Sequence, residues 1–353
     1  MTHFRSNITA MTGYVPGEQP QGAKLIKLNT NENPYPCSPK VKAAIGHVCQ
    51  QGLQKYPDPG AMAFRLRAAE LFSNEVPGIG PDWILCGNGS DDILTILTRA
   101  FVEAGDLVRF PNPSYLLYET LAAIQGAECD TVNFQDDWSL GDNFTAVQNS
   151  LRLTYLANPN SPSGTVIPPE QVARIASALP CPLLVDEAYA DFADTNCLAL
   201  VAENEQVMVS RTLSKSYALA GLRFGFLVAQ PPIIAELAKV KDSYNCDALS
   251  IAGATAALDD REWFDQTRAL ILATRARLVG ELEKRGFQCV PSQANFVWCR
   301  HPEQDAEELY QQLKSQGVLV RYMNYANWDD GLRITVGTDE QIDAFLAIVS
   351  GLI

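Results

Sequence analysis

The sequence is poor in the residues that most often build metal sites and charge-relay triads. Three histidines occur in 353 residues, and His3, His47 and His301 show no ligand spacing. The nine cysteines are scattered and include no CxxC pair. We therefore predict no metal site and no Ser-His-Asp triad. An odd number of scattered cysteines favours free thiols in a reducing compartment.

The chain also lacks an excess of positive charge and a long apolar run. Lys and Arg number 27 against 41 Asp and Glu, which gives a formal net charge of -14. Nucleic acids and anionic membranes are bound by basic surfaces, so we expect neither as a partner. Residues 1–14 contain no apolar signal-peptide core, and no segment approaches transmembrane length. We expect a cytoplasmic protein.

What is present is the composition of an ordinary globular enzyme. Hydrophobic residues make up 47% and charged residues 19% of the chain, and the length predicts about two domains. Between residues 83 and 228, short apolar segments alternate with segments of helical periodicity. The apolar segments lack the alternation of half-exposed strands. They therefore predict a mostly parallel, doubly wound α/β sheet that is buried on both faces.

A change of pattern near residue 259 predicts a second, smaller domain. Beyond a long helix predicted for residues 261–285, three short strand patterns mix with two helical ones. We predict a large α/β domain over residues 40–258 and a small α+β domain over residues 1–39 and 259–353.

The chemistry of the chain is organised around one lysine, Lys215. Thr212, Ser214 and Ser216 surround it in sequence, and Arg223 follows eight residues later. Hydroxyl groups and a guanidinium bind phosphate, and a lysine amine forms Schiff bases. Pyridoxal-phosphate enzymes use a lysine of this kind. Taken alone, the motif is more simply explained by a solvated loop with an ordinary surface lysine.

Three further motifs follow predicted strands, where open α/β sheets bind their ligands. The turn Gly87–Asp91 opens a helix, so its backbone N–H groups and the Ser90 hydroxyl predict an anion site. Asn158 begins a turn after another strand and is able to hydrogen-bond a ligand. Asp186 follows a buried apolar strand, where a cationic ring nitrogen is a suitable partner, and Tyr189 lies three residues later.

Each of these motifs also has a structural explanation. The glycine turn fits a nicotinamide-type GxG turn or a plain helix cap, the Asn158 turn fits an ordinary turn, and Asp186 fits a helix N-cap. Together with Lys215 and Arg223, however, the motifs supply a nucleophile, anion-binding groups, an acid and a phenol in one sheet domain. That combination predicts a pyridoxal-phosphate site.

These motifs also carry a family resemblance that extends nearly from end to end. The residues concerned are Asn29–Tyr35, Tyr56–Asp58, Asn158–Asn160, Asp186–Tyr189, Ser214–Lys215, Gly221–Arg223 and Gly331–Ile334. In them the chain resembles the fold-type I pyridoxal-phosphate aminotransferases of the aspartate aminotransferase superfamily, and specifically the histidinol-phosphate aminotransferases. It departs from the family pattern at Ser161 and Ser163, where Asn and Thr are commoner, and at Cys37, which follows a segment that often has Pro.

The resemblance implies pyridoxal 5'-phosphate as cofactor and assigns residues to it. Lys215 is expected to hold it as an internal aldimine, Asp186 to pair with the pyridinium nitrogen, and Tyr115 to stack on the ring. The ring hydroxyl is expected to be bound by Asn158 and Tyr189. The phosphate is expected to be bound by Ser90, Asp91, Thr212, Ser214 and Arg223. Tyr56 is expected to reach the phosphate of the cofactor in the neighbouring subunit of a homodimer. The expected catalytic residues are Lys215, Asp186 and Tyr189.

The resemblance also implies a reaction, a ping-pong transamination through the Lys215 aldimine. Histidinol phosphate and 2-oxoglutarate would give imidazole acetol phosphate and glutamate, a step of histidine biosynthesis. Arg333 matches the arginine that usually grips the α-carboxylate, and Arg321, Tyr14 and Asn31 complete the expected substrate site.

Other functions fit parts of the sequence. An aromatic amino acid aminotransferase and a threonine-phosphate decarboxylase share the pyridoxal-phosphate motifs, and substrate tests separate them. A nicotinamide-dependent oxidoreductase explains the sheet and the Gly87-x-Gly89 turn but leaves Lys215 without a role. A catalytically silent binding module is at odds with the intact Lys215, Asp186 and Arg223.

Overall fold

The chain folds around β-sheets flanked by helices, and the computed structural model describes residues 3–19 and 25–353. The α-helices in these ranges are α1 Ser6–Ala10, α2 Pro39–Gln51, α3 Met62–Phe72, α4 Ser90–Phe101, α5 Leu117–Gln125, α6 Pro169–Ala178, α7 Leu200–Glu203, α8 Pro231–Leu237, α9 Ala248–Leu258, α10 Arg261–Glu283, α11 Ala306–Ser315 and α12 Asp339–Ser350. The strands are β1 Ile26–Lys27, β2 Ile84–Gly87, β3 Leu107–Asn112, β4 Glu128–Asn133, β5 Leu151–Ala157, β6 Leu183–Asp186, β7 Val207–Thr212, β8 Gly225–Val228, β9 Gln288–Cys289, β10 Phe296–Arg300, β11 Val318–Leu319, β12 Arg321–Met323 and β13 Gly331–Thr335.

The largest sheet has seven strands in the order β2-β8-β7-β6-β5-β3-β4. Strands β4, β3, β5, β6 and β7 pair in parallel, whereas β8 runs antiparallel to both of its neighbours. Strands β2, β6, β7 and β8 are buried along their whole length, and two apolar clusters cover the sheet. The prediction of a mostly parallel α/β sheet buried on both faces is confirmed.

Two smaller sheets lie in the amino- and carboxyl-terminal parts of the chain. Strands β12, β13, β10 and β9 form an antiparallel sheet in that order. Strand β1 pairs in parallel with β11, so residues 26–27 join residues 318–319. A third apolar cluster, which includes Leu28, Leu278 and Phe345, packs beneath these strands. The N-terminal segment and the C-terminal part thus share one core.

The proposed division into two domains is compatible with this arrangement. The boundary at residues 258 and 259 falls between α9 and α10, and α2 packs against α9, which favours a start of the large domain near residue 40. Residues 1, 2 and 20–24 of the predicted segment 1–39 lie outside the described residues. No helix in the described ranges is both long enough and apolar enough to span a membrane.

Several helices begin where a side chain caps the first turn. The Ser38 hydroxyl accepts from the Lys40 N–H, with Pro39 as the first residue of α2. Thr338 and Gln341 form a reciprocal capping box at the start of α12. These caps fix the residues at which α2 and α12 begin.

Candidate active site

The ends of the central strands meet at one edge of the seven-stranded sheet. In register, Asp186 of β6 lies beside Ser210 of β7, and Thr212 of β7 lies beside Gly225 of β8. Because β8 is antiparallel, its first residue also lies beside Gly87, the last residue of β2. A cleft of about 490 Å³ opens at this edge.

This cleft brings together most of the residues predicted from the sequence. The predicted residues that line it are Tyr14, Asn31, Ser90, Asp91, Tyr115, Asp186, Tyr189, Thr212, Ser214, Lys215, Arg223, Arg321 and Arg333. Asn158 and Tyr56 are the predicted residues that do not line it.

Lys215 lies in the loop after β7 with its side chain half-buried in the cleft. Its Nζ donates a hydrogen bond to the carbonyl oxygen of Thr30 at 3.1 Å. Burial, followed by the charge of Arg333, lowers the pKa of Lys215 to about 8, and Glu32 partly opposes this change. A lysine with a lowered pKa is more often neutral near pH 7, so this amine is suited to act as nucleophile and base.

Asp186 ends β6 with its carboxylate at the cleft, and only 4% of the residue is exposed. The Tyr118 hydroxyl donates to Oδ2 at 2.9 Å, while the Ser210 hydroxyl and the Ala188 N–H donate to Oδ1 at 3.2 and 3.3 Å. Burial raises the pKa of Asp186, and these hydrogen bonds oppose the rise. Within the described residues, only neutral groups donate to this carboxylate. A buried carboxylate of this kind is suited to a cationic ligand atom.

A cradle for an anion lies at the amino end of α4. Ser90 is the first residue of that helix and lines the cleft. Arg223 donates from Nη1 to Ser214 Oγ at 3.3 Å and from Nη2 to Asp91 Oδ2 at 3.2 Å, and the Thr212 hydroxyl donates to Ser214 Oγ at 3.0 Å. Helix-start N–H groups, hydroxyls and a guanidinium are the groups that bind phosphate.

The aromatic residues of the cleft are held by hydrogen bonds. The Tyr115 hydroxyl donates to Asp91 Oδ1 at 3.1 Å, and the ring of Tyr14 packs edge-on against Tyr115 with centroids 5.9 Å apart. Asn31 Nδ2 donates to the Tyr189 hydroxyl oxygen at 2.9 Å. Burial raises the pKa of Tyr189, so its hydroxyl stays protonated.

Arg321 and Arg333 lie opposite each other on the antiparallel strands β12 and β13. Arg333 donates from Nη1 to Ser161 Oγ at 2.9 Å and from Nη2 to the Asn29 carbonyl at 3.2 Å, while its buried Nε has no partner in the described part of the chain. Arg321 donates to the carbonyl oxygens of residues 15 and 16 at 3.3 and 3.5 Å. Two like charges directly opposite each other destabilise a strand pair, so this end of the cleft is suited to an anion.

Asn158, which was predicted to bond the ring hydroxyl of the cofactor, holds a turn beside the cleft and does not line it. Its buried side chain donates from Nδ2 to the Ile167 carbonyl at 3.0 Å, and its Oδ1 accepts from the Ile167 N–H at 2.8 Å. Both ends of the amide therefore hold the turn after β5. Ser161, three residues later in the same turn, lines the cleft and binds Arg333.

Tyr56 lies outside the cleft of its own chain. It is 80% exposed and stacks on Tyr244 with ring centroids 4.5 Å apart. A contact between Tyr56 and a cofactor therefore requires a second subunit, as the resemblance implied.

Several residues of the cleft were not predicted from the sequence. They include Gln19, Thr30, Ser114, Ser161, Met323 and Tyr325. Ser161 had a signal, because it follows a strand within a turn already singled out. Met323 ends β12 and Tyr325 lies two residues beyond it. Neither belongs to a recognisable motif, and only the fold brings them to the cleft.

The sheet order, the lysine after β7 and the buried carboxylate at the end of β6 define a fold-type I pyridoxal-phosphate transferase. Comparison with known proteins agrees with this class. A family profile described as Aminotransferase class I and II matches residues 23–349.

Individual relatives narrow the class. A histidinol-phosphate aminotransferase from Rhodopirellula baltica is 54% identical over 346 residues, which cover 98% of this chain and 94% of that relative. Histidinol-phosphate aminotransferase 1 from Nostoc sp. is 44% identical, with coverage of 99% and 98%. The crystal structure of histidinol-phosphate aminotransferase from Sinorhizobium meliloti in complex with pyridoxal-5'-phosphate has a TM-score of 0.89 and 26% identity, with coverage of 100% and 99%.

The chain therefore belongs to the class I and II aminotransferases and, within them, to the histidinol-phosphate aminotransferase family. The predicted resemblance, the predicted fold class and the prediction of an aminotransferase are confirmed. The comparisons give no support to a nicotinamide-dependent oxidoreductase.

Proposed function

We propose that this enzyme transfers the amino group of histidinol phosphate to 2-oxoglutarate and so produces imidazole acetol phosphate and glutamate. The relatives that share 54% and 44% of its sequence bear the name of this activity. The reaction is a step of histidine biosynthesis, which we place in the cytoplasm. The nine free cysteines fit a reducing compartment.

The assignment of the substrate rests on the facing arginines Arg321 and Arg333. Histidinol phosphate has no carboxylate, so its phosphate ester is the group that needs a cationic partner. The two arginines pair across neighbouring strands, and the buried Nε of Arg333 has no partner among residues 3–19 and 25–353, so their guanidiniums supply planar donors for such an anion. Glutamate, the product of the second half-reaction, uses the same arginines for a carboxylate. Tyr14 and Asn31 complete the substrate site that we propose.

The residues of the cleft also fit pyridoxal 5'-phosphate. Asp186 offers its negative charge to a protonated ring nitrogen, and the cradle of Ser90, Ser214 and Arg223 offers its donors to the phosphate. The cradle is held tightly against the sheet, because a Cβ added at Gly225 would lie 2.6 Å from the Ser90 nitrogen. When bound, the cofactor supplies an electron sink for the bond that breaks at the substrate Cα.

The side chains of the cleft have separate roles in the proposed reaction. Lys215 would attach the cofactor. Once the substrate amine displaces it, its amine would take the proton from the substrate Cα and deliver it to C4' of the cofactor, and it would move a proton in the opposite direction in the second half-reaction. The Thr30 carbonyl, 3.1 Å from Nζ, orients the amine. The hydrogen-bonded pair of Tyr189 and Asn31 offers a phenol to the ring hydroxyl. Each half-reaction uses the same groups.

We also propose that the enzyme acts as a homodimer. Tyr56 is exposed and lies outside its own cleft, so it reaches a cofactor phosphate only if a second subunit presents its site. A shared active site makes the dimer necessary for activity.

Steady-state kinetics test the substrate. We expect kcat/KM to be highest for histidinol phosphate when it is compared with phenylalanine and with threonine phosphate. Arg333→Ala removes one guanidinium and should lower kcat/KM for histidinol phosphate about 10-fold to 100-fold. Arg300→Ala is the matched control, since Arg300 lies on the neighbouring strand β10 and pairs with Asp329 outside the cleft.

Other outcomes would reject the assignment. Preference for phenylalanine would favour an aromatic aminotransferase, and release of carbon dioxide from threonine phosphate would favour a decarboxylase. Equal losses in the Arg333 and Arg300 variants would mean that the facing arginines do not bind the substrate.

A further inference from the structure

Tyr118 lies directly behind the carboxylate that faces the cleft. It belongs to α5, is fully buried with 0% of its surface exposed, and does not line the cleft itself. Its hydroxyl donates to Asp186 Oδ2 at 2.9 Å. No motif in the sequence singled it out.

The position of this phenol is fixed by its neighbours. Its ring stacks on Tyr155 with centroids 4.6 Å apart and planes 6° from parallel, and it meets the edge of Tyr115 at 5.6 Å. The Tyr155 hydroxyl shares a hydrogen bond with Thr98 at 2.7 Å and so does not compete for Asp186. The packing therefore directs the Tyr118 hydroxyl to a single acceptor.

The hydrogen bond acts on the charge of Asp186. Burial raises the pKa of that carboxyl, and the charge of Asp91 adds to the rise, whereas the Tyr118 hydrogen bond is the largest opposing influence. Tyr155 and Tyr189 are the other titratable groups that face the Asp186 carboxyl, and burial raises the pKa of both phenols. Hydrogen bonds donated to a carboxylate favour its ionised form.

We propose that Tyr118 is a positioning residue that keeps Asp186 ionised and orients its carboxylate toward the ring nitrogen of the cofactor. The inference rests on the proposed function, because it assumes that the cleft binds pyridoxal 5'-phosphate. Tyr118 would act through Asp186 without touching the cofactor or the substrate.

The test compares Tyr118→Phe with Tyr155→Phe. Both changes remove one hydroxyl from the same stacked pair and keep both rings, but only the first removes a donor to Asp186. The readouts are the pH titration of the visible absorbance of the bound cofactor and the dissociation constant of pyridoxal 5'-phosphate. Without the Tyr118 hydrogen bond, the ring nitrogen of the cofactor would lose its proton more readily. Its positive charge would then no longer lower the pKa of the nitrogen that joins the cofactor to Lys215. We therefore expect Tyr118→Phe to move the titration midpoint upward by about one pH unit and to weaken cofactor binding about 10-fold.

Tyr155→Phe should leave both quantities at the wild-type value. Ser210→Ala, which removes the other side-chain donor to Asp186, should move the midpoint in the same direction and provides a second variant if Tyr118→Phe folds poorly. In an Asp186→Asn background, Tyr118→Phe should add no further shift. Equal midpoints in the wild type, Tyr118→Phe and Ser210→Ala would overturn the inference. A wild-type protein that binds no pyridoxal 5'-phosphate would instead reject the proposed function.

Discussion

At the scale of single residues, the amine of Lys215 combines a buried environment with two nearby arginines. Its pKa is lowered to about 8, so about a tenth of the amine is neutral at pH 7. Because the neutral amine is the attacking form, the rate at which the cofactor-free protein acquires visible absorbance with pyridoxal 5'-phosphate should rise with pH and level off above about pH 8. Stopped-flow absorbance between about pH 6 and about pH 10 measures this midpoint.

One variant checks the sign of that prediction. The charge of Glu32 raises the pKa of Lys215, so Glu32→Gln should move the midpoint to lower pH. A midpoint near the ordinary lysine value of about 10.4 would contradict the lowered pKa.

Residue chemistry also shows where sequence reasoning succeeds and where it stops. Lys215, Asp186 and Arg223 each have a structural explanation when taken alone, and they were predicted because together they supply a nucleophile, an acid and an anion-binding group in one sheet domain. Asn158 was predicted to bond a ligand because its amide can form hydrogen bonds, but the pairing of that amide with the Ile167 backbone depends on how the turn closes. Tyr118 resembles any core aromatic residue in the sequence, and only the packing of α5 against the sheet brings its hydroxyl to Asp186.

At the scale of secondary-structure elements, the buried central strands were predictable because their apolar segments are continuous. Strand β4 was missed, since it is a polar edge strand with most of its residues exposed. Helix α9 was also missed, because its residues are small or apolar all round and give no amphipathic periodicity. Its place is set by packing against α2, which a single sequence does not reveal.

The position of the phosphate cradle depends on the close contact between strand β8 and the start of α4. A Cβ added at Gly225 would lie 2.6 Å from the Ser90 nitrogen and 2.7 Å from the Gly89 carbonyl carbon, both backbone atoms. Gly225→Ala should therefore lower the free energy of unfolding by about 1–3 kcal/mol and weaken the binding of pyridoxal 5'-phosphate. Denaturant unfolding and a cofactor titration measure the two effects.

The matched control lies in the same stretch of chain. At Gly221 an added Cβ would meet no heavy atom within 4 Å, so Gly221→Ala should leave stability and cofactor binding nearly unchanged. Tight cofactor binding by Gly225→Ala would show that the helix start does not need this close approach.

At the scale of the whole molecule, large hydrophobic side chains are exposed at and near Tyr56 in the sequence, namely Leu53, Met62 and Leu66. The exposed ring of Tyr56 also stacks on the exposed ring of Tyr244. Large exposed side chains close together indicate a surface that another protein covers. The homodimer that we propose would cover this surface and carry each Tyr56 to the other subunit's cleft.

Mixing two inactive variants tests whether the active site is shared. In a hybrid of Lys215→Ala and Tyr56→Ala subunits, one site carries both changes and the other carries neither, so mixing should restore about one quarter of the wild-type activity. A mixture of Lys215→Ala and Asp186→Ala is the control. Both of its changes lie in the cleft of their own chain, so each site of the hybrid stays damaged and no activity should return. Recovery in neither mixture would mean that Tyr56 serves its own subunit or that the subunits do not exchange, and a tag-based pull-down of hybrid dimers distinguishes these two causes.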